Sequence, residues 1–261
     1  MTAPFPDLVS TLGLGPRAHI AIVGGGGKTS LMIALADALG RAGARVVTTT
    51  TTKVWLTQAR LAPRVIFRHN HPLWREDLGR GLSESRSVFV AERPLESGKA
   101  QGIDPAVCDE LFTSGASDYI IAEADGAAGR SVKAHAPHEP VIPQSSTVVV
   151  AMAGLDCLGR PANSLTVFRL DFFLRMTGMR EGQTLTVESV SRLFKGVAGL
   201  FKGSPPEAGL VVFLNKLDHL MGDQEAISLG RRILKTSFLP LDRVICASLR
   251  EQRYRILRRL S

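Results

Sequence analysis

Apolar residues in this 261-residue chain gather in short unbroken runs, separated by stretches in which they recur every third or fourth position. The unbroken runs predict buried strands at residues 19–23, 45–50, 65–67, 88–91, 118–123, 146–153, 210–214 and 244–247. The helical periodicity predicts helices over 28–41, around 72–79, and over 105–112, 187–195 and 224–234. Strands that are apolar throughout and alternate with helices imply an α/β fold, with a mostly parallel sheet covered by helices on both faces. Ligands in such sheets bind at the carboxyl ends of the strands. Residues 155–206 show little strand pattern and are expected to form a helical insertion. No repeat, low-complexity segment or linker divides the chain, so residues 1–261 are read as one domain.

Chemistry concentrates at strand ends. The first strand, Ile20–Val23, runs into Gly24-Gly25-Gly26-Gly27-Lys28-Thr29-Ser30 and then directly into helical sequence. Glycines let backbone amides approach phosphate oxygens, a lysine supplies charge for the β- and γ-phosphates, and a Thr hydroxyl can ligate Mg²⁺. The loop therefore reads as a nucleotide phosphate-binding loop, and the domain as P-loop NTPase-like. The longer form of the motif wants glycine at position 22, where Ile22 stands; the shorter G-x-x-G-K-T is present from Gly24 to Thr29.

Three further strand ends complete the candidate site. Thr48–Thr52 and Lys53 follow the second strand; Thr50, Thr51 and Lys53 are candidates for contacting phosphate, metal or an attacking water, against a plain β ladder of threonines. Glu123-Ala124-Asp125-Gly126 ends an apolar strand, which suits Mg²⁺ coordination by Glu123 together with Thr29. A Gly126 amide would lie near the γ-phosphate, and Lys28, Thr29, Glu123 and Asp125 form the candidate catalytic set. Asn215-Lys216-Leu217-Asp218 follows the strand at 210–214 and matches the N-K-x-D pattern of GTPases, in which the carboxylate accepts two guanine N–H donors. Ala247, closing a later strand, is placed to offer an amide to the guanine oxygen. The ligands expected are Mg²⁺ with GTP, or with ATP. Between 130 and 143, Lys133, His135, His138 and Glu139 sit among prolines, which leaves open a structural loop, an anion or partner contact, or a metal site.

Composition narrows the class. No apolar run approaches the ~20 residues of a membrane span. The opening Met1–Asp7 lacks the features of a secretion signal, and three scattered cysteines suggest a reduced, cytoplasmic setting. Net charge is +8, but the cations are dispersed and aromatics make up only 6% of residues, which argues against nucleic acid as a partner. The basic tail at 250–259 is expected to be a solvated helix, or else a docking surface for an acidic partner.

Taken together, Val23–Thr29, Val47–Lys53 and the long block Glu123–Pro143 resemble the YqeC family, over about residues 8 to 250. The block at 123–143 is the most specific part of that resemblance. The resemblance implies an accessory factor for selenium-dependent molybdenum hydroxylases, active in selenium cofactor biosynthesis, with the hydroxylase or a molybdopterin-type cofactor as partner. E-x-x-G with N-K-x-D is more distantly similar to metallocentre-assembly GTPases, by analogy with which a homodimer is an open alternative. A competing reading is an ATP-dependent ligase resembling the central domain of the Mur and folylpolyglutamate synthetases, in which Lys28, Thr29 and Glu123 keep their roles. Those ligases place N-x-x-x-D-H soon after the acid, whereas Asn215–His219 comes far later and is a residue short. A third reading is a scaffold that binds nucleotide without hydrolysing it.

Overall fold

A computed structural model describes residues 7–196 and 198–259. Residues 1–6, read above for a leader, lie outside it, as do the chain end at 260–261 and Val197 within the insertion. Nine strands form the main sheet: β1 (Ala18–Gly24), β2 (Val46–Thr50), β3 (Val65–Phe67), β4 (Ser87–Ala91), β5 (Tyr119–Glu123), β6 (Val148–Gly154), β7 (Gly209–Asn215), β8 (Leu241–Ser248) and β9 (Arg253–Leu257). Their order is β9-β8-β7-β6-β1-β5-β2-β4-β3, and every neighbouring pair is parallel except β8–β9. This is the mostly parallel α/β sheet that the apolar runs predict.

Side chains alternate across a strand, so β1 feeds both faces. Ile20 and Ile22 pack with Leu31, Leu35 and Leu39 of the helix Lys28–Arg41, while Ala21 and Val23 join a second core. That second core includes Phe173, Val190, Leu193 and Phe194, so the segment 155–206 covers the sheet together with the helix Gln224–Thr236. The segment is made of short helical pieces, Leu170–Thr177 and Val187–Ser191 among them. A third core gathers the helices Trp74–Ser85 and Pro105–Thr113 around β2, β4 and β5.

The basic tail differs from expectation. Arg253–Leu257 is not a helix but the antiparallel edge strand β9. Tyr254 is buried in one core, Arg255 is exposed, and Leu257 packs half-buried against the core on the other face. Charged outward positions also protect such an edge from pairing with another chain. A second element escaped prediction, a small sheet of Lys53–Trp55, Arg93–Pro94 and Lys99–Gln101. Its strands are two or three residues long, too short for periodicity to show. Among the described residues, no helix is long and apolar enough to cross a membrane.

Candidate functional site

The sheet register brings the predicted strand ends together. Ile22 of β1 and Thr50 of β2 both lie opposite Glu123, so β5 delivers its acid between them. On the other side of β1, Gly24 lies opposite Met152, and Gly154 lies opposite Asn215. A cleft of about 1000 Å³ opens at these ends, lined in part by Gly26–Ser30, Thr51–Trp55, Glu123, Gly126, Arg130, Arg169 and Lys216. Its lining carries six cations (Lys28, Lys53, Lys99, Arg130, Arg169, Lys216) against two acids (Glu123, Glu139), a balance suited to a polyanion.

The glycine loop is wedged against its neighbours. Gly24 (φ 95°) and Gly26 (φ 81°) have left-handed backbones, and a Cβ on either would come within 2.2 Å of β6 backbone atoms, Met152 O and Gly154 N respectively. Three loop amides are bonded to protein: Gly24 N to Asp125 Oδ2 (2.9 Å), Gly25 N to Met152 O (3.0 Å) and Gly26 N to Arg130 O (3.0 Å). Gly24 and Gly25 are not part of the cleft lining, and Gly27 caps the helix Lys28–Arg41 without a side chain. The helix N-terminus, with Lys28, Thr29 and Ser30 lining the cleft, consequently has no side-chain cap, and the positive end of its dipole favours an anion.

Lys28 is buried; its Nζ donates to Gly24 O (2.8 Å) and pairs with Asp125 Oδ1 at 3.1 Å, without hydrogen-bond alignment at that oxygen. Asp125 also meets His135 Nε2 (2.7 Å) and Lys133 Nζ (3.4 Å). Burial opposes its ionisation, but Lys28, the His135 hydrogen bond and Lys133 outweigh it and hold the carboxyl well below the usual carboxylate range. Lys133 is fully buried, donating to Gly126 O (2.5 Å) and Glu139 Oε1 (2.9 Å), and Arg169 Nε approaches Glu139 Oε2 at 3.4 Å. The histidines divide accordingly: His135 is in this buried network and His138 is exposed at the cleft. Among the described residues no group of three or more His, Cys, Asp or Glu is arranged to hold a metal by itself.

Two residues before Asp125, Glu123 has the opposite environment. Burial raises its pKa, and so does Asp125, while Lys28 and the Thr29 hydroxyl only partly offset them. Its Oε1 is buried without a hydrogen-bond partner. A buried, unbonded carboxylate oxygen beside a threonine hydroxyl is what a hard divalent cation would use, with phosphates and water filling its remaining positions. The donor set therefore fits Mg²⁺.

The threonines spend their hydroxyls on the backbone. Thr49 Oγ1 donates to Val90 O (2.7 Å), Thr50 Oγ1 to Glu123 O (3.0 Å) and Thr51 Oγ1 to Val141 O (2.8 Å). Asn215 spans the site: its Nδ2 donates to Gly26 O (2.8 Å) and its Oδ1 accepts from Leu249 N (3.2 Å). Lys216 lines the cleft, and its Nζ donates to Asp156 Oδ2 (2.9 Å) and Ser131 Oγ (3.2 Å). Asp218 and Ala247 lie outside the cleft lining; Asp218 Oδ1 accepts from Ser248 Oγ (2.7 Å). Burial raises the Asp218 pKa, but the Ser248 bond and nearby charges lower it on balance. Sequence reasoning missed Arg130, Ser131 and Asp156, and also Trp55, Lys99, Phe168 and Arg169 on the far wall. Arg130 and Ser131 fall inside the 123–143 block, whereas the others sit in segments with no recognisable pattern.

The family model described as YqeC protein matches residues 20–171. An uncharacterized protein YqeC of Escherichia coli (strain K12) is 35% identical over 210 residues, covering 80% of each chain. Similarity to solved structures is lower. The signal recognition particle 54 kDa protein of Aeropyrum pernix K1, in complex with GDP, is 14% identical with a TM-score of 0.40, over 93% of this chain and 44% of that one. Chloroplast FtsY from Physcomitrella patens is 12% identical with a TM-score of 0.44, over 95% and 64%.

Proposed function

The chain belongs to the YqeC family, and on that footing we propose that it is a Mg²⁺-dependent protein that binds and hydrolyses a nucleoside triphosphate, GTP in preference to ATP. The observation that carries this reading is the uncapped N-terminus of the helix Lys28–Arg41, opening onto a cationic cleft beside Lys28 and the unbonded Glu123 oxygen. The amides of Lys28, Thr29 and Ser30 bind phosphate oxygens, and Lys28 turns from Gly24 O and Asp125 toward the β- and γ-phosphates. Thr29 and Glu123 would hold the Mg²⁺, which when bound neutralises charge on the phosphates. Asp125 keeps Gly24, Lys28 and His135 in register.

Guanine as the base rests on Asn215–Asp218. Asn215 ties the phosphate loop to Leu249, and Ser248 orients the Asp218 carboxylate, so one strand-end unit links the phosphate and base positions. The family resemblance supports a client: a molybdenum hydroxylase or its molybdopterin-type cofactor, matured in the cytoplasm, with the protein acting alone or as a homodimer. The test is a titration of GTP against ATP with Mg²⁺, repeated on Asp218→Asn. Wild type is expected to bind GTP more tightly and the variant to shift toward xanthine nucleotides; equal affinities unchanged by the substitution contradict the guanine assignment.

A further inference from the structure

The cleft is larger than a triphosphate tail requires, and its far wall is built differently from its floor. Besides the phosphate-loop end, it is lined by the small sheet carrying Lys53, Trp55 and Lys99 and by Phe168 and Arg169, with Thr51 Oγ1 donating to Val141 O within the same lining. The floor lysines are committed to partners, as Lys28 is to Asp125 and Lys216 to Asp156. Two of the wall cations, Lys53 and Lys99, are not. Lys53 has no ion-pair partner among the described residues, and Lys99 touches only the ring of Trp55, 4.6 Å from its centroid. Arg169 reaches a carboxylate only through Nε, 3.4 Å from Glu139, and lies 5.2 Å from the Phe168 ring centroid. Arg169 also has a left-handed backbone (φ 62°, ψ 52°), a conformation a non-glycine residue keeps only where its surroundings enforce it, and one that gathers at ligand sites. Trp55 leaves 52% of its surface exposed beside these charges.

We infer that this wall binds a second substrate, a small organic anion with an aromatic or apolar body, lying beyond the terminal phosphate of the nucleotide. The cations hold its phosphate or carboxylate, and Trp55 and Phe168 pack on its body. The inference rests on the nucleotide-binding reading, because Asp218 and Ala247 lie outside this cleft and leave its far half free when the base sits with them.

The experiment uses the full chain and two titrations. The first adds a non-hydrolysable GTP analogue with Mg²⁺; the second adds phenyl phosphate to protein already saturated with that analogue, followed by calorimetry and tryptophan fluorescence. Phenyl phosphate is expected to bind saturably, more tightly than inorganic phosphate, and to change the Trp55 emission. Arg169→Gln is expected to weaken it at least tenfold while nucleotide affinity stays within twofold. Should Arg169→Gln misfold, Lys99→Gln, which removes a cation with no ion-pair partner among the described residues, takes its place with the same expectation. Normal nucleotide binding without saturable phenyl phosphate binding, or with binding indifferent to these substitutions, overturns the second site alone. Failure of the first titration overturns the nucleotide reading and this inference with it.

Discussion

Glu123 and Asp125 are two residues apart at the end of one strand, yet the structure gives them opposite surroundings. Asp125 is surrounded by charge: a glycine amide, a histidine and a lysine meet its Oδ2, and Lys28 Nζ lies 3.1 Å from its Oδ1, which has no aligned hydrogen bond, on a carboxylate with no exposed surface. Glu123 is also buried but lines the cleft, and among the described residues its Oε1 has neither a hydrogen-bond nor an ion-pair partner. A pair of acids whose environments push their pKa values apart has been given two tasks. On the proposed reading, the ion-paired acid holds the phosphate loop in shape, and the unpaired one is kept for a ligand. The same division runs through the cleft, where Lys28 and Lys216 are paired and Lys53 and Lys99 are not.

The comparison breaks most visibly at Asp125. Asp125→Ala leaves Lys28 buried without its ion-pair partner, while Lys133 keeps Glu139, and loss of one member of a buried ion pair costs about 3–5 kcal/mol. Chemical denaturation should show a loss of that order, whereas Glu123→Gln should leave stability unchanged or slightly higher. Equal losses from both would erase the distinction.

The pH dependence sharpens it. The folded pKa of Asp125 is depressed, so its contribution is complete above the unfolded carboxyl range and drains away only under strong acid. The folded pKa of Glu123 is raised, so the folded state holds its proton more tightly, and stability falls as pH rises from the unfolded value of 4.5 through the folded one. His19 opposes this. Buried and weakly helped by Asp109, its pKa is lowered from 6.5 to about 4, so its protonation destabilises the fold as pH drops through that interval. The informative quantity is therefore the difference between wild type and Glu123→Gln, which should shrink toward zero as pH falls below 4.5. A difference that does not vary with pH contradicts the assignment.

The smallest effect is expected at Ser248→Ala. Removing the hydroxyl deletes two hydrogen bonds, one to Asp218 and one accepted from Glu251 N (3.0 Å); the loss of the first, about 1 kcal/mol, is less than tenfold in guanine-nucleotide affinity. ATP affinity should not move.

Much of the fold was legible because the central strands are buried on both faces and read as unbroken apolar runs. The tail was not, because Arg-Tyr-Arg-Ile-Leu at 253–257 is a short strand inside a basic stretch whose charge suggested a helix end. At the candidate site, spacing alone pointed to the glycine loop, Glu123 and Asn215, since each closes an apolar strand and the sheet brings those ends together. It did not separate the roles of Glu123 and Asp125, because the partners that distinguish them come from elsewhere: Gly24 and Lys28 lie about a hundred residues earlier, and Lys133 and His135 lie in a proline-rich loop. The far wall was illegible for a related reason. Trp55, Lys99 and Arg169 reach the cleft from a sheet too small to announce itself and from a left-handed residue in an unpatterned segment.

The most direct measurement is a calorimetric titration of the full chain with a non-hydrolysable GTP analogue, with and without Mg²⁺, on wild type and Glu123→Gln. Saturable binding that Mg²⁺ strengthens in wild type, with that strengthening lost in Glu123→Gln, is the predicted result. Absence of saturable binding with Mg²⁺ present, or a metal effect that survives the substitution, would contradict it.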